Sequence, residues 1–415
     1  MEKLINKNLE NIELDKERLY NQNKKLKTCI NIISLIIIYS IISYSFENDN
    51  RYYKGKTEKM KSLLKGKEYF DICMNGKLLN NITFKKSDNP DISVVIPAYK
   101  CQDVIKGVIR SIQNQKLTNI EIILVNDFSP DNTENILKEL QKEDERIIII
   151  NNNQNRGTLY SRCIGVLATK GKYIFTIDND DLFFDETVFD EIYKEALKGD
   201  FDIIGFKGLS QGNYQINTER IFYTVYSDHR DKLTLFQPEL SQFPRKRNGK
   251  YGVYDCYLWG KIIKGSKYIK TVNVMGEKIY SHRIMWGEDL ITSFVLYRNV
   301  QSYRFISKHG LFHYENGRTA TYTTTKERLY TSIVIYLDVV FNLTNNDIED
   351  KKYITFVVLD YFTSKETVAC LNEDIKKYLN SILNKILKSE YILDKDKKKL
   401  RKHFKQFEDV GIKLD

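Results

Sequence analysis

Proline is scarce, with 5 in 415 residues, too few for a long polyproline II linker. Cysteine is scarce as well. Cys29, Cys73, Cys101, Cys163, Cys256 and Cys370 are scattered and form no C-x-x-C pair. That excludes a disulfide-built scaffold and leaves buried small hydrophobes as the expectation for most of them. There is no G-x-x-x-x-G-K-[S/T], so this is not a P-loop protein, and no G-x-G-x-x-G follows the first apolar run, which argues against a dinucleotide oxidoreductase. A basic platform is missing too. The net charge of +10 is local: residues 51–67 and 395–405 each hold seven basic residues and one acid, and the rest is slightly acidic. The core is no nucleic-acid surface.

What is present is an ordinary folded composition, 42% hydrophobic and 29% charged, which excludes a wholly disordered chain. At about 150 residues per domain, the length fits one large unit with appendages or two domains. From Thr28 to Phe46 no residue is charged. Nineteen helical residues reach ~28 Å, close to the ~30 Å of a bilayer's hydrocarbon, so 29–46 is expected to be a transmembrane signal anchor. A cleaved signal peptide fits less well, because the preceding polar segment is long and no small-residue cleavage site follows. Lys24, Lys25 and Lys27 precede the run, whereas Glu47 and Asp49 follow it. This charge difference favours a cytosolic N-terminus and a lumenal bulk. The expected location is a single membrane pass in the ER or Golgi, with which sequons at Asn81 and Asn342 are compatible.

Residues 1–28 read as a short polar tail and 47–90 as a Lys-rich stem. Folded structure announces itself at Asp91. Four apolar runs (92–96, 120–125, 146–150 and 172–177) alternate with helical patterns at 101–115, 132–144 and 158–169. Such alternation predicts βαβ units in a mostly parallel sheet flanked by helices. Right-handed crossovers then bring all four strand C-termini to one edge, where such sheets bind ligands. From about 321 to 415 the apolar spacing turns helical, predicting a C-terminal helical extension.

The residues at that edge carry the chemistry. Pro97-Ala-Tyr99 follows the first strand, Asn126-Asp127 ends the second, Asn151 to Gly157 follows the third, and Asp178-Asn-Asp180-Asp181 follows the fourth. Carboxylates gathered on one edge repel unless a cation sits among them. Oxygen-only ligands suit Mg²⁺ or Mn²⁺, not zinc. Mg²⁺ usually completes its shell with phosphates, so a diphosphate is the natural guest.

The segments Ile92-Ser-Val-Val-Ile-Pro-Ala-Tyr99, Ile122-Ile-Leu-Val-Asn-Asp-Phe-Ser-Pro-Asp-Asn-Thr133, Asn155-Arg-Gly-Thr-Leu-Tyr-Ser-Arg162 and Lys170-Gly-Lys-Tyr-Ile-Phe-Thr-Ile-Asp-Asn-Asp-Asp181 together resemble a family 2 glycosyltransferase of GT-A fold. Trp259-Gly-Lys-Ile-Ile-Lys264 and Trp286-Gly-Glu-Asp-Leu290 resemble its acceptor half. The resemblance covers 91–320. It implies that Pro97, Tyr99, Asp127, Arg162 and Asp178 bind the nucleotide-sugar: Tyr99 packs on the base, Asp127 hydrogen-bonds it, Arg162 lies near the nucleotide and Asp178 reaches the ribose. It further implies that Asp180 ligates Mn²⁺ or Mg²⁺ and that Asp289 is the general base. Separately, His313, in Phe312-His-Tyr-Glu, is a candidate metal ligand or phosphate contact, set against the reading of a structural histidine. Cys163, where Asn is usual, and Phe128, where Gly is common, depart from the pattern.

The implied reaction is metal-dependent, inverting transfer of a sugar from a nucleotide-diphosphate sugar, a UDP-sugar being the expected donor, to the hydroxyl of a glycan, protein or lipid. Two alternatives stand beside it. One keeps the fold and takes a lipid phosphate as acceptor, as in dolichyl-phosphate sugar synthases. The other is a catalytically inactive scaffold subunit of the same fold.

Overall fold

The computed structural model describes residues 65–79, 83–212, 232–237, 246–247, 250–251, 257–284, 287–315, 325–343, 348–390 and 392–414. The expected polar tail, the membrane span at 29–46 and the first part of the stem lie outside the described residues. Among those described, no helix is long and apolar enough to cross a membrane. Residues 68–415 form one compact unit.

Strand β1 (Ile92–Ala98) is buried along its whole length, as is β2 (Ile120–Asn126). Continuous burial is the signature of strands covered on both faces. With β3 (Ile147–Asn151) and β4 (Tyr173–Thr176) they form a parallel block in the order β3-β2-β1-β4. The crossovers are α2 (Ile105–Gln113), α3 (Thr133–Glu143) and α4 (Thr158–Leu167). A helix over 65–74, α1, precedes them, and its Tyr69, Phe70 and Cys73 are buried. Part of the expected stem is therefore folded structure. Helix α4 lies tight on the sheet at Gly165, where an added Cβ would come within 2.4 Å of Val95 Cγ1.

The sheet as a whole is mixed, which corrects the expectation of a mostly parallel one. Beyond β4, strand β10 (Lys261–Lys264) runs antiparallel to both β4 and β6 (Ile203–Gly212). β6 and the 14-residue β11 (Ser302–Glu315) are parallel, and β5 (Leu182–Phe183) and β7 (Lys232–Phe236) are antiparallel to β11. The physical reason is that an apolar run reads alike in both directions. Only helical crossovers fix a strand's sense, and no crossover motif introduces β10. Helix α5 (Val188–Gly199) covers the β6–β11 side, and β8 (Lys246–Arg247) pairs with β9 (Lys250–Tyr251) in a separate small ribbon.

Past β10 come α6 (Gly265–Tyr280), kinked at Gly276, and α7 (Glu288–Asn299). The C-terminal helices α8 (Lys326–Leu343), α9 (Ile348–Tyr361), α10 (Lys365–Ala369), α11 (Glu373–Lys388) and α12 (Asp394–Phe404) follow. They share one apolar core with the sheet. The cluster runs from Val95 and Val125 through Tyr268 and Phe294 to Tyr336, Ile386 and Phe404. Phe294 of α7 meets Tyr336 edge-on (5.6 Å between centroids) and stacks over Tyr353 (6.2 Å), and the two tyrosine hydroxyls share a 2.7 Å hydrogen bond.

Candidate active site

The C-terminal ends of β1 to β4 lie side by side, as parallel pairing requires, and the polar residues predicted there do converge. At the centre is Arg162, on the inner side of α4 and only 3% exposed. Its guanidinium donates to Asp289 (2.7 Å) and Glu288 (3.4 Å) through Nη1, and to Asp178 (2.9 Å) through Nη2. Burial opposes its charge, yet Asp289, Asp178 and Glu288 together hold its pKa above the ordinary value. Three carboxylates from two distant stretches thus surround one cation. This is the compensation that the repulsion argument demands. It places the Arg162 guanidinium among carboxylate side chains.

Glu288 and Asp289 open the first turn of α7, behind Gly287 in the left-handed region (φ 76°). The second Asp289 oxygen accepts from the Leu258 backbone N–H (3.3 Å). Burial and the Asp289 charge push Glu288 up to about 7, against the pull of Arg162. Asp289 is raised as well, by burial first, with Arg162 pulling it back and Asp178 adding to the rise. Two interacting carboxyls, both raised by burial, are candidates for proton transfer.

Asp178 keeps its side chain 37% exposed, with one oxygen on Arg162. Asn179 donates to the carbonyl of Pro97 (3.1 Å), tying the end of β4 to the end of β1. Asp180 is 9% exposed and Asp181 is fully buried. Among the described residues no three His, Cys, Asp or Glu side chains come together to hold a metal. Asp180 would serve a hard cation as a single carboxylate ligand, with a diphosphate and water completing the shell, which is how Mg²⁺ commonly binds. His313 lies in β11 opposite Ser210; its side chain is outside what is described.

Asp127 follows the end of β2. It is 3% exposed, and both oxygens are engaged: Oδ1 accepts from Asn152 Nδ2 and Arg156 N–H, Oδ2 from Gly157 N–H, each at 2.8 Å. The carboxylate folds the 152–157 loop against β2. Gly157 then sits at φ 88°, and a Cβ there would meet the Ile284 carbonyl at 2.7 Å. Leu159 N–H donates to that same carbonyl (3.3 Å). The loop after β3 therefore seats the segment leading to Glu288 and Asp289, a linkage that sequence reading missed. Its one visible signal was the run of small polar residues ending in Arg-Gly.

Tyr99 stands half-buried past β1, with Lys100 Nζ 5.5 Å from its ring centroid. Lys261, fully buried, donates through Nζ to the Tyr257 carbonyl. Trp259 is half-buried against Tyr257 (5.4 Å between centroids), and Trp286 is outside the described residues. His282 stacks on Tyr378 (6.0 Å) and His309 packs by Phe184 (5.6 Å). Burial pushes Cys101 and Cys163 up to about 12, as expected of thiols that serve as packing.

A parallel β-α block, antiparallel strands completing the sheet and a carboxylate cluster around Arg162 frame the candidate site. The family described as "Glycosyl transferase family 2" matches residues 93–268. The chain is similar to the uncharacterized glycosyltransferase EpsJ of Bacillus subtilis, 27% identical over 233 residues, which are 56% of this chain and 63% of EpsJ. It is also similar to WfaP of Escherichia coli, a UDP-Glc:alpha-D-GlcNAc-diphosphoundecaprenol beta-1,3-glucosyltransferase. That match is 32% identical over 136 residues, covering 33% of this chain and 51% of WfaP. The chain thus spans less than two thirds of these relatives. Among solved structures, S. aureus TarS 1-349 in complex with UDP-GlcNAc shares the fold. The TM-score is 0.54 at 13% identity, covering 77% of this chain and 89% of that one.

Proposed function

We propose that the protein transfers a sugar from a UDP-sugar to an acceptor hydroxyl with inversion, Asp289 taking the hydroxyl's proton. The observation that carries this reading is the buried Arg162 holding Asp178 and Asp289 together, 2.9 and 2.7 Å from its two terminal nitrogens. In this reading Asp178 faces the donor's ribose and Asp289 faces the acceptor, so a single cation sets the spacing between the two substrates' subsites. A fixed spacing of this kind is where much of an enzyme's advantage over solution arises. Asp289, raised by burial, accepts the proton as the acceptor oxygen attacks, and Glu288 shares the charge of that pair. A divalent ion held through Asp180, Mn²⁺ or Mg²⁺, would supply charge stabilisation for the departing diphosphate. WfaP's lipid-linked acceptor and the apolar run at 29–46 favour a glycan on a polyprenyl diphosphate as acceptor.

The scaffold reading is disfavoured by the same cluster, since a binding module has no need of two buried, interacting carboxyls raised above their ordinary values. Asp289→Asn tests the proposal. General-base help contributes ~10²–10⁴-fold, so kcat in a UDP-sugar transfer assay should drop by that factor while UDP binding by calorimetry is preserved. Full activity in this variant would remove Asp289 from its role.

A further inference from the structure

Lys261 opens β10 and is 1% exposed, although a lysine is almost never fully buried without a partner. β10 pairs with β4 on one side and β6 on the other, and Lys261 itself stands opposite Gly205. An apolar side chain would fill such a position without the cost of taking a charge out of water. The ammonium bends back four residues and donates to the Tyr257 carbonyl. Gly260, in the left-handed region at φ 73°, makes the turn between the two.

The Tyr257 carbonyl and the Leu258 N–H belong to one peptide unit. That N–H donates to Asp289 Oδ2 (3.3 Å), while Arg162 Nη1 donates to Oδ1 (2.7 Å). Asp289 is held at both oxygens, at one by a guanidinium and at the other by a peptide whose far end carries a lysine. We propose that Lys261 is a positioning residue for Asp289, fixing and polarising the Tyr257–Leu258 peptide that orients its carboxylate; this rests on the sugar-transfer reading above. A carbonyl that accepts from an ammonium makes the N–H across the same peptide a stronger donor, because hydrogen bonds in a chain polarise one another. The lysine acts through its charge as well. Burial raises Asp289 most, Arg162 pulls it back, Asp178 adds to the rise, and the Leu258 N–H and the Lys261 charge lower it further. Glu288 and the buried Tyr268 hydroxyl are the other titratable groups that feel this carboxylate.

The test compares Lys261→Met, which removes charge and donor, with Lys261→Gln, which keeps a neutral donor, in the full chain, each with and without Asp289→Asn. Sugar transfer is followed across neutral pH, with UDP affinity by calorimetry and a melting scan on every variant. Lys261→Met should lower kcat by roughly 10- to 100-fold, the loss that a misplaced reacting group brings. The ascending limb of kcat/KM should move up by ~1 pH unit, as Asp289 loses a neighbouring positive charge. UDP affinity should stay unchanged, and adding Lys261→Met to Asp289→Asn should cost less than ~2-fold more, because residues that act as a unit are not additive. Lys261→Gln should shift the limb equally with a smaller loss of kcat, and it carries the test if Lys261→Met does not fold. An unmoved limb, a loss that multiplies in full with Asp289→Asn, or weakened UDP binding, the mark of a phosphate contact, would overturn the positioning role and leave the transferase reading intact. Full activity in Asp289→Asn alone would instead overturn the base assignment, and the positioning role with it.

Discussion

Arg162→Met removes the cation from between Asp178, Glu288 and Asp289. Two contacts shorter than 3 Å and one of 3.4 Å are lost, all made by a side chain that is 4% exposed. Removing one partner of a buried ion pair typically costs ~3–5 kcal/mol, because the charges left behind stay desolvated. That is a large share of the ~5–15 kcal/mol that holds a domain together. At ~2 °C per kcal/mol, the slope suited to a large domain, the melting temperature of the ligand-free protein should fall by ~6–10 °C in a calorimetric scan. Asp289→Asn in the same background takes away one of the stranded charges. The double variant should therefore be less destabilised than the two single effects combined, by ~1 kcal/mol or more. The sequence-level expectation, an arginine that touches nucleotide, predicts something else: weaker UDP binding with an unchanged melting temperature. A drop under ~1 °C, or strict additivity, would refute the compensation argument.

Three further outcomes follow from the same geometry. Glu288 is raised from its ordinary 4.5 to about 7, so the folded protein keeps a proton that the unfolded chain has released. The stability this confers is full below pH 4.5 and is lost as pH rises through about 7; Glu288→Gln should flatten that slope in urea titrations at a series of pH values. Transfer activity should rise with pH across the same interval, with apparent pKa values belonging to the Glu288–Asp289 pair, and a flat kcat/KM profile from pH 5 to 8 would contradict the base assignment. Gly157→Ala imposes both a left-handed alanine, costing ~1–2 kcal/mol, and a clash with the Ile284 carbonyl; it should lower the melting temperature by several degrees and reduce kcat, whereas an unchanged scan would show that the loop yields freely.

The parallel half of the sheet was legible because each strand is a short apolar run between turn residues, and the run's burial on both faces follows directly. Strand β1 runs two residues past its predicted end because Pro97 and Ala98 continue the register with Val125 and Asn126. Helix α2 begins at Ile105 rather than 101, because Cys101 N–H is taken by the Thr133 hydroxyl and the chain turns before it coils. The antiparallel strands were not legible: β6 and β11 lie about a hundred residues apart, and nothing local tells β10 which way to run. The site residues were found as residue types, but their partners were hidden. Arg162 meets carboxylates 16, 126 and 127 positions away, and Asp127 meets donors 25 to 30 positions away. Spacing along the chain could name these residues; only the folded sheet edge decides which of them touch.

The packing of Phe294 edge-on to Tyr336 and stacked over Tyr353 has a bearing on how new specificities could arise in this architecture. Helix α7 carries Glu288 and Asp289 at one end and, along its length, is wedged into the C-terminal bundle. Grafting a relative's loop ahead of α7 alone would leave that wedge in a mismatched socket and shift Glu288 and Asp289 by the resulting tilt. A working chimaera would have to import the bundle along with the loop, so helices that look like an appendage belong to the framework that aims Glu288 and Asp289.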